Sequence, residues 1–485
     1  MIRLLPLYSA HKKAAIASPE RRCDCYDKAV AEKRSNAFLP GCMLIFQRVC
    51  LSAFFLFLFA QTGLAQEADD KHYQRAKRIL TEKVNAGENV DFNDVGYVLE
   101  QYTLNNPGNP EAWYFLGYAI DKFNSYDGEN LIRSNLLLAQ KASQCFENAL
   151  ELSNGLYKGK RLNLDPHTKI LSIWGGQALR YLYENKTDST VWCLEQAKKR
   201  GGINETVLRY FSQLLDDVSD SAYLFNAGDM QVYYIAYLQH VLKARTDVRN
   251  INLDYLNTIW YPQMMKERGR LELQINNEEL RNIKPVAWIA RDISIPNARF
   301  PAGDSVLTWH LRPTFEGGLL RSDQILLRLL EQNAMKRDVF FPSGLPGNFR
   351  LYLSTTNYLQ LRGLTVKVNT VEGTNDVDYL RARLPSLSPL TGKNTDYLQN
   401  PDNLQVLNIL RFAHAWTAEY ALLEKDTALA KRTFEVAEEK YPETLLPFYD
   451  DNDKNWYMTL KEKIEAMEVV QDGLHTQTSL LLNNK

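Results

Sequence analysis

Cysteine and histidine are scarce in this chain, so few residues are available for disulfides or for metal binding. Only six cysteines and seven histidines occur in 485 residues, and four of the cysteines lie within the first 50. The other two, Cys145 and Cys193, lie among apolar neighbours in predicted helices. We therefore predict two buried free thiols, although an oxidising compartment would permit a disulfide. No two histidines are spaced as a metal pair, so we predict no metal site and no cofactor.

Familiar catalytic motifs are missing as well. The sequence has no P-loop, no G-x-S-x-G nucleophile elbow, and no H-E-x-x-H or C-x-x-C ligand pattern.

An excess of basic charge is also missing. Residues 1–65 hold 9 basic and 4 acidic residues, which leaves 48 basic and 54 acidic residues and a net charge of −6 in the rest. Nucleic-acid binding needs a basic surface, so we exclude nucleic acid as a partner.

The apolar run near the N-terminus has the pattern of a secretory signal peptide. Within residues 43–65, a basic Arg48 precedes an apolar stretch at 49–60 and the small-residue sequence Gly63-Leu64-Ala65. We predict an exported protein, periplasmic or envelope-associated, with no transmembrane helix after cleavage. An uncleaved anchor is the alternative, although the stretch is shorter than the roughly 20 apolar residues of a membrane span. Residues 1–42 are interpreted as an over-extended gene start rather than a cytoplasmic lead.

A helical block is predicted at residues 66–216. Trp113 and Gly117 occupy the W-x₂-L-G positions of a tetratricopeptide repeat, and Ala142 and Phe146 fit its second helix. Small residues at Gly117 and Ala142 would let the two helices approach closely, while the aromatic rings fill the groove between them. We predict a tetratricopeptide-like domain.

A second helical block is predicted near the C-terminus, at residues 403–470. Ala430, Phe434 and Pro442 keep the spacing of one such repeat. Residues 471–485 are predicted to be a flexible tail.

Between these blocks, residues 217–372 change to a strand pattern. An apolar run at 223–225 ends at Gly228-Asp229, a helical pattern follows, and residues 248–253 alternate with period two. That order predicts a βαβ unit. We also predict strands at 286–289, 305–311, 339–341 and 364–368, and helices at 357–361 and at 322–335, the latter capped by Ser322.

The predicted fold class is therefore α+β or α/β. Helical-repeat blocks would flank a central α/β domain with a mainly parallel sheet. A linker is predicted at residues 373–402, which are rich in Pro, Ser, Asn and Asp.

The βαβ unit also carries a family signature. The matching positions are Gly228-Asp229, Tyr237-Leu238-Gln239, Arg245-Thr246-Asp247-Val248, Asn252, Asn257 and Trp260-Tyr261, and downstream the segments 336–341 and 358–364. This pattern resembles the extracytoplasmic C-terminal region of a bacterial family of multi-spanning membrane proteins related to protein O-mannosyltransferases. The family's second acid after Gly-Asp is replaced here by Met230-Gln231, and its transmembrane catalytic part has no counterpart. The resemblance therefore implies shared architecture more than transferase activity.

Seven residues of this unit are candidate ligand-binding residues: Asp229, Gln239, Arg245, Asp247, Asn252, Trp260 and Tyr261. Ligands of parallel sheets bind at the carboxyl ends of strands, here around residues 226–229 and 252–255. Each candidate has a structural alternative. Asp229 could cap the following helix, Arg245 and Asp247 could hold the turn into the next strand, and Gln239 could bond to nearby backbone. The aromatic rings could be core residues rather than sugar-stacking platforms.

Together these patterns predict an exported, non-catalytic interaction or assembly protein of the bacterial envelope. It would bind a protein partner, or a glycan, through its helical repeats and its α/β domain. We assign no catalytic residue, because no nucleophile, base and orienting group occur together. The alternative, which rests on the resemblance alone, is an accessory subunit or enzyme of protein O-glycosylation. A pocket joining Asp229, Asn252 and Trp260 would favour that alternative.

Overall fold

The computed structural model describes residues 69–482, except 85–87, 297–305, 354–357, 370–371 and 374. The predicted signal peptide lies outside these residues. None of the helices in the described ranges combines the length and the apolar character that crossing a membrane requires.

Seven helices form the first block: α1 (69–78, continued by a π-helical turn at Ile79–Lys83), α2 (Phe92–Asn105), α3 (Pro110–Asn124), α4 (Leu136–Leu152), α5 (Pro166–Tyr183), α6 (Thr187–Lys199) and α7 (Glu205–Asp216). Five of them begin at an Asp or Asn whose side chain accepts backbone N–H groups of the first turn: Asp91, Asn109, Asn135, Asp165 and Asn204. These local capping signals explain where the helices begin. Helix α3 packs on α4, and α5 packs on α6.

The predicted close approach of α3 and α4 is confirmed. A Cβ atom at Gly117 would lie 3.0 Å from a ring carbon of Phe146 and 3.1 Å from Cβ of Cys145. Glycine at this position therefore allows the contact between the helices. Cys145 and Cys193 are both free and buried, as predicted.

The central sheet has five strands: β1 (Tyr223–Asn226), β2 (Arg249–Asn252), β7 (Val339–Pro342), β8 (Leu359–Leu361) and β9 (Thr365–Val368). Their order is β2-β1-β7-β9-β8. Strand β1 pairs in parallel with β2 and β7, whereas β9 pairs antiparallel with β7 and β8. Four strands thus point the same way and only β9 runs against them. Helix α8 (Asp229–His240) connects β1 to β2, so the predicted βαβ unit and the α+β fold class are confirmed.

The segment between β2 and β7 adds helices α9 (Trp260–Glu267), α10 (Asn277–Asn282) and α11 (Arg321–Asn333), with short strands β3 (Val286–Ala287), β4 (Arg291–Pro296), β5 (Val306–Leu311) and β6 (Gly318–Leu319). Two small antiparallel sheets result, β3 with β6 and β4 with β5. The predicted cap Ser322 is wrong, because α11 already begins at Arg321. The Asp323 carboxylate accepts the Leu320 N–H there at 2.7 Å.

Two other local predictions were wrong. Residues 357–361 were expected to be helical, but Leu359–Leu361 form β8, with both leucines buried and Gln360 between them. The expected linker 373–402 contains helix α12 (Val377–Arg383) and two 3₁₀ turns, Leu384–Ser386 and Asp396–Gln399. Its polar composition concealed a few core side chains, including fully buried Leu380.

The last block consists of α13 (Pro401–Leu423), α14 (Thr427–Lys440) and α15 (Asp451–Leu482). Ala430 and Phe434 are buried there together with Phe412 and Tyr457 in a separate small core. The backbone of α15 is helical to Leu482, and the flexibility of residues 471–485 stays a prediction.

Candidate ligand-binding site

The seven predicted site residues fall at two opposite ends of the βαβ unit. Strands β1 and β2 are parallel and Asn226 lies opposite Asn252, so their carboxyl ends share one edge of the sheet. Asp229 begins α8 at that edge. Arg245 and Asp247 precede β2 and therefore lie at the other edge. One ligand cannot contact all seven residues.

At the amino edge, Arg245 and Asp247 form a clamp. Arg245 donates through Nε and Nη2 to the two Asp247 oxygens, each at 3.1 Å, and through Nη1 and Nη2 to the carbonyls of Leu215 and Val218 at 2.5 and 2.8 Å. The hydrogen bond from Arg245 lowers the pKa of Asp247 to about 2. Gln239 Nε2 donates to the carbonyls of Arg245 and Val248 at 2.8 and 2.9 Å. These contacts connect α7, α8 and β2, in agreement with the structural alternatives.

Asn252, Trp260 and Tyr261 are buried, with relative exposures of 1%, 3% and 2%. The Asn252 N–H donates to Tyr261 Oη at 3.0 Å, and its side-chain amide donates to Asn226 Oδ1 at 3.0 Å. Trp260 Nε1 donates to the carbonyl of Gly128 in the first helical block at 2.9 Å. A sugar-stacking platform needs an exposed ring face, and neither ring has one.

The structural alternative for Asp229, capping of α8, is wrong. The N-cap of α8 is Gly228, whose φ of 85° favours glycine, and Asp229 makes no capping bond. Instead, Asp229 Oδ2 accepts a hydrogen bond from Ser172 Oγ on α5 at 2.5 Å. The N–H of Gly228 donates to Asp254 Oδ2 at 2.7 Å. The Gly228 turn therefore brings two carboxyl groups to the same end of the sheet.

The surroundings of Asp254 change its proton affinity. Burial raises the pKa of Asp254 to about 6; the charge of Asp229 adds to the shift, and the Gly228 N–H opposes it. Near them the hydroxyl oxygens of Tyr233 and Tyr255 are 2.5 Å apart. Burial and the charge of Asp229 raise the pKa of Tyr255, so this phenol keeps its proton.

A lysine from the first helical block completes this group. Burial and the neighbouring Lys169 lower the pKa of Lys122, and the charges of Asp121 and Asp229 oppose that shift. Lys122 Nζ donates to the carbonyl of Tyr126 at 3.1 Å. The ammonium group is thus held near Asp229 by α3.

We name these residues the Asp229 cluster: Lys122, Ser172, Asp229, Asp254 and Tyr255. All five are partly exposed, and they come from α3, α5, the start of α8 and the loop after β2. The cluster combines a carboxylate acceptor, a carboxyl group with a pKa near neutrality, and ammonium and hydroxyl donors. It therefore holds both hydrogen-bond donors and acceptors. The loop 252–255 was among the predicted ligand loops, but Lys122 and Ser172 lie more than fifty residues away and had no local signal.

A cavity of about 500 Å³ lies elsewhere, between Leu156 and a loop that includes Lys393, Asp396 and Gln399. None of the Asp229 cluster lines it, and it does not join Asp229, Asn252 and Trp260. Among the described residues, no group of three or more His, Cys, Asp or Glu side chains is arranged to hold a metal ion.

Residues 209–281 match a family model described as TMEM260-associated domain 2, a family linked to O-mannosyltransferase-like proteins. The matched segment runs from α7 to α10 and contains all seven predicted site residues, Asp254 and the Gly228 turn. It leaves out Lys122 and Ser172. Comparison with curated proteins and with solved structures gave no significant match.

Proposed function

We propose that this chain is an exported, non-catalytic interaction or assembly protein of the bacterial envelope, which binds its partner at the Asp229 cluster. The supporting observation is that the helical block and the βαβ unit build this cluster together from partly exposed polar side chains. A ligand bound there contacts both the helical block and the βαβ unit, so its affinity depends on their relative position. The remaining candidate residues contribute by holding β1, β2 and α8 in place.

The ligand class that suits the cluster is hydroxyl-rich, such as a glycan on a partner protein. Vicinal hydroxyls donate well to the Asp229 carboxylate and accept from the Lys122 ammonium. Asp254, with a pKa near 6, can donate or accept according to pH. A densely anionic ligand would meet two carboxyl groups and is disfavoured.

The helical blocks are proposed to be tetratricopeptide-like and to present the wider protein-binding surface. The close packing of Gly117 against Phe146 supports this assignment for α3 and α4. Export to the periplasm is proposed on the signal-peptide pattern.

Crosslinking and affinity purification of the tagged chain from its own envelope would test the proposal. Asp229→Asn removes the negative charge of this side chain and keeps its shape. The matched control is Asp220→Asn, an exposed acid at the opposite end of β1. We expect a specific partner that is captured by the wild type and the control and lost with Asp229→Asn. Equal capture by all three chains, or capture of no specific partner, would contradict the proposal.

The family match supports a second candidate, an accessory subunit or enzyme of protein O-glycosylation. In that case cells carrying Asp229→Asn or Asp254→Asn would lose envelope glycoproteins while the control cells keep them. Unchanged glycoprotein profiles with a correctly folded variant would exclude this role for the cluster.

A further inference from the structure

The two helical blocks meet where α5 and α13 begin. Asp165 is the N-cap of α5 and accepts the N–H of His167 at 3.0 Å, while Asn400 is the N-cap of α13. Asn400 Nδ2 donates to Thr168 Oγ1 at 3.0 Å, and the Asp165 N–H donates to Asp402 Oδ2 at 2.8 Å. Residues more than 230 positions apart thus hold the two helix starts together.

Two carboxyl groups are buried at this junction. Asp165 is completely buried and Asp402 is 8% exposed. Asp165 Oδ2 has no hydrogen-bond partner among the described residues. A buried carboxylate oxygen without a donor, beside a second carboxyl group, is costly when both groups are ionised. A proton on Asp402 removes this repulsion.

The charged neighbours of the pair do not neutralise it fully. Arg161 Nη1 lies 3.8 Å from Asp402 Oδ1, but its side chain is 37% exposed, so water screens this contact. His167 Nδ1 lies 2.8 Å from Asp165 Oδ1 and leaves Oδ2 unpartnered. The tyrosines around the pair add no further negative charge, because burial raises their pKa values and keeps them neutral: Tyr114, Tyr157 and Tyr449.

We propose that the contact between Asp165 and Asp402 is a proton-operated latch between the two helical blocks. While Asp402 is protonated, the first turns of α5 and α13 stay docked, and loss of this proton loosens the docking. Helix α7 also packs on α13, away from the pair, and keeps the blocks joined. The loosening is therefore local to the start of α13.

The burial of Asp402 determines the direction of the pH effect on docking. Burial raises the pKa of Asp402, opposed mainly by the Asp165 N–H. A carboxyl group with a raised pKa stabilises the docked state at low pH. This contribution decreases as the pH rises from the ordinary pKa of about 3.9 through the raised value. The latch is closed by acid and opened towards neutral and alkaline pH.

Hydrogen exchange measured by mass spectrometry on the mature chain between pH 4.5 and 8 tests the latch. After correction for intrinsic rates, we expect peptides covering residues 400–410 of the wild type to lose protection as pH rises, by up to about tenfold per pH unit. Asp402→Asn cannot ionise, so its protection should change little with pH. Asp396→Asn, at a nearby exposed acid, is the control and should follow the wild type.

Asp165→Asn provides a second measurement, because asparagine also caps helices and removes the neighbouring acid from Asp402. We expect it to reduce the pH dependence as Asp402→Asn does. If either folded variant kept the full pH dependence of the wild type, or if the wild type showed none, the latch would be refuted.

Discussion

The contact between α5 and α8 permits a sharp prediction, because it joins the first helical block to the βαβ unit at a glycine. A Cβ atom at Gly175 would lie 2.3, 2.4 and 2.6 Å from Cγ, Cδ1 and Cδ2 of Tyr233. Carbon atoms in contact are about 3.5–4.0 Å apart, so the ring would have to move by more than about 1 Å. Tyr233 is buried and its hydroxyl lies against Tyr255, which leaves the ring little freedom.

We predict that Gly175→Ala destabilises the protein. Replacing glycine by alanine inside a helix is intrinsically favourable by about 1 kcal/mol. Overpacking of a buried contact costs about 1–3 kcal/mol, and the overlap with three ring atoms places this site at the upper end. The expected net loss is about 1–2 kcal/mol in the free energy of unfolding.

Gly96→Ala is the matched control, because the same substitution is made within helix α2 at an uncrowded site. The nearest atom to its Cβ would be Ala119 Cβ at 3.9 Å, an ordinary contact. Helix propensity then predicts a gain of about 0.5–1 kcal/mol. Urea unfolding followed by tryptophan fluorescence and circular dichroism would measure both variants. The reasoning is refuted if Gly175→Ala is as stable as the wild type, or if Gly96→Ala loses stability.

Three further predictions concern single side chains. Arg411 is buried, has no salt bridge to an acidic side chain of the described residues, and donates to the carbonyls of Tyr441 and Leu446. Arg411→Met should therefore cost about 3–5 kcal/mol by leaving these acceptors unpaired, measurable by urea unfolding. Burial lowers the pKa of His414 to about 4, so the stability of the protein should fall as pH decreases from about 6.5 to about 4. His414→Gln should reduce this loss, which thermal melts across that pH range would measure. Asp247→Asn weakens the Arg245 clamp and should lower thermal stability without reducing partner capture; reduced capture by a folded variant would place a ligand at this edge.

Features determined by neighbours along the chain were predictable. The βαβ unit follows from an apolar run, a Gly-Asp break and a period-two alternation, and the structure places β1, α8 and β2 accordingly. Gly117 and Phe146 also indicated a close helix pair. Predictions failed where tertiary contacts override local preference: β8 is a strand because it pairs with β9, and α12 is a helix because a few apolar residues face the core.

Some features of the candidate site were likewise predictable from the sequence, whereas others depend on tertiary contacts. The sequence alone identified the Gly228-Asp229 turn, because a glycine and an acid that follow an apolar run are a local signal. The parallel pairing of β1 and β2 places Arg245 and Asp247 at the edge opposite to Asp229. The partners of Asp229 come from α3, α5 and the loop after β2. They meet only because the helical block packs against the sheet, a consequence of side-chain packing across the whole fold that no local pattern records.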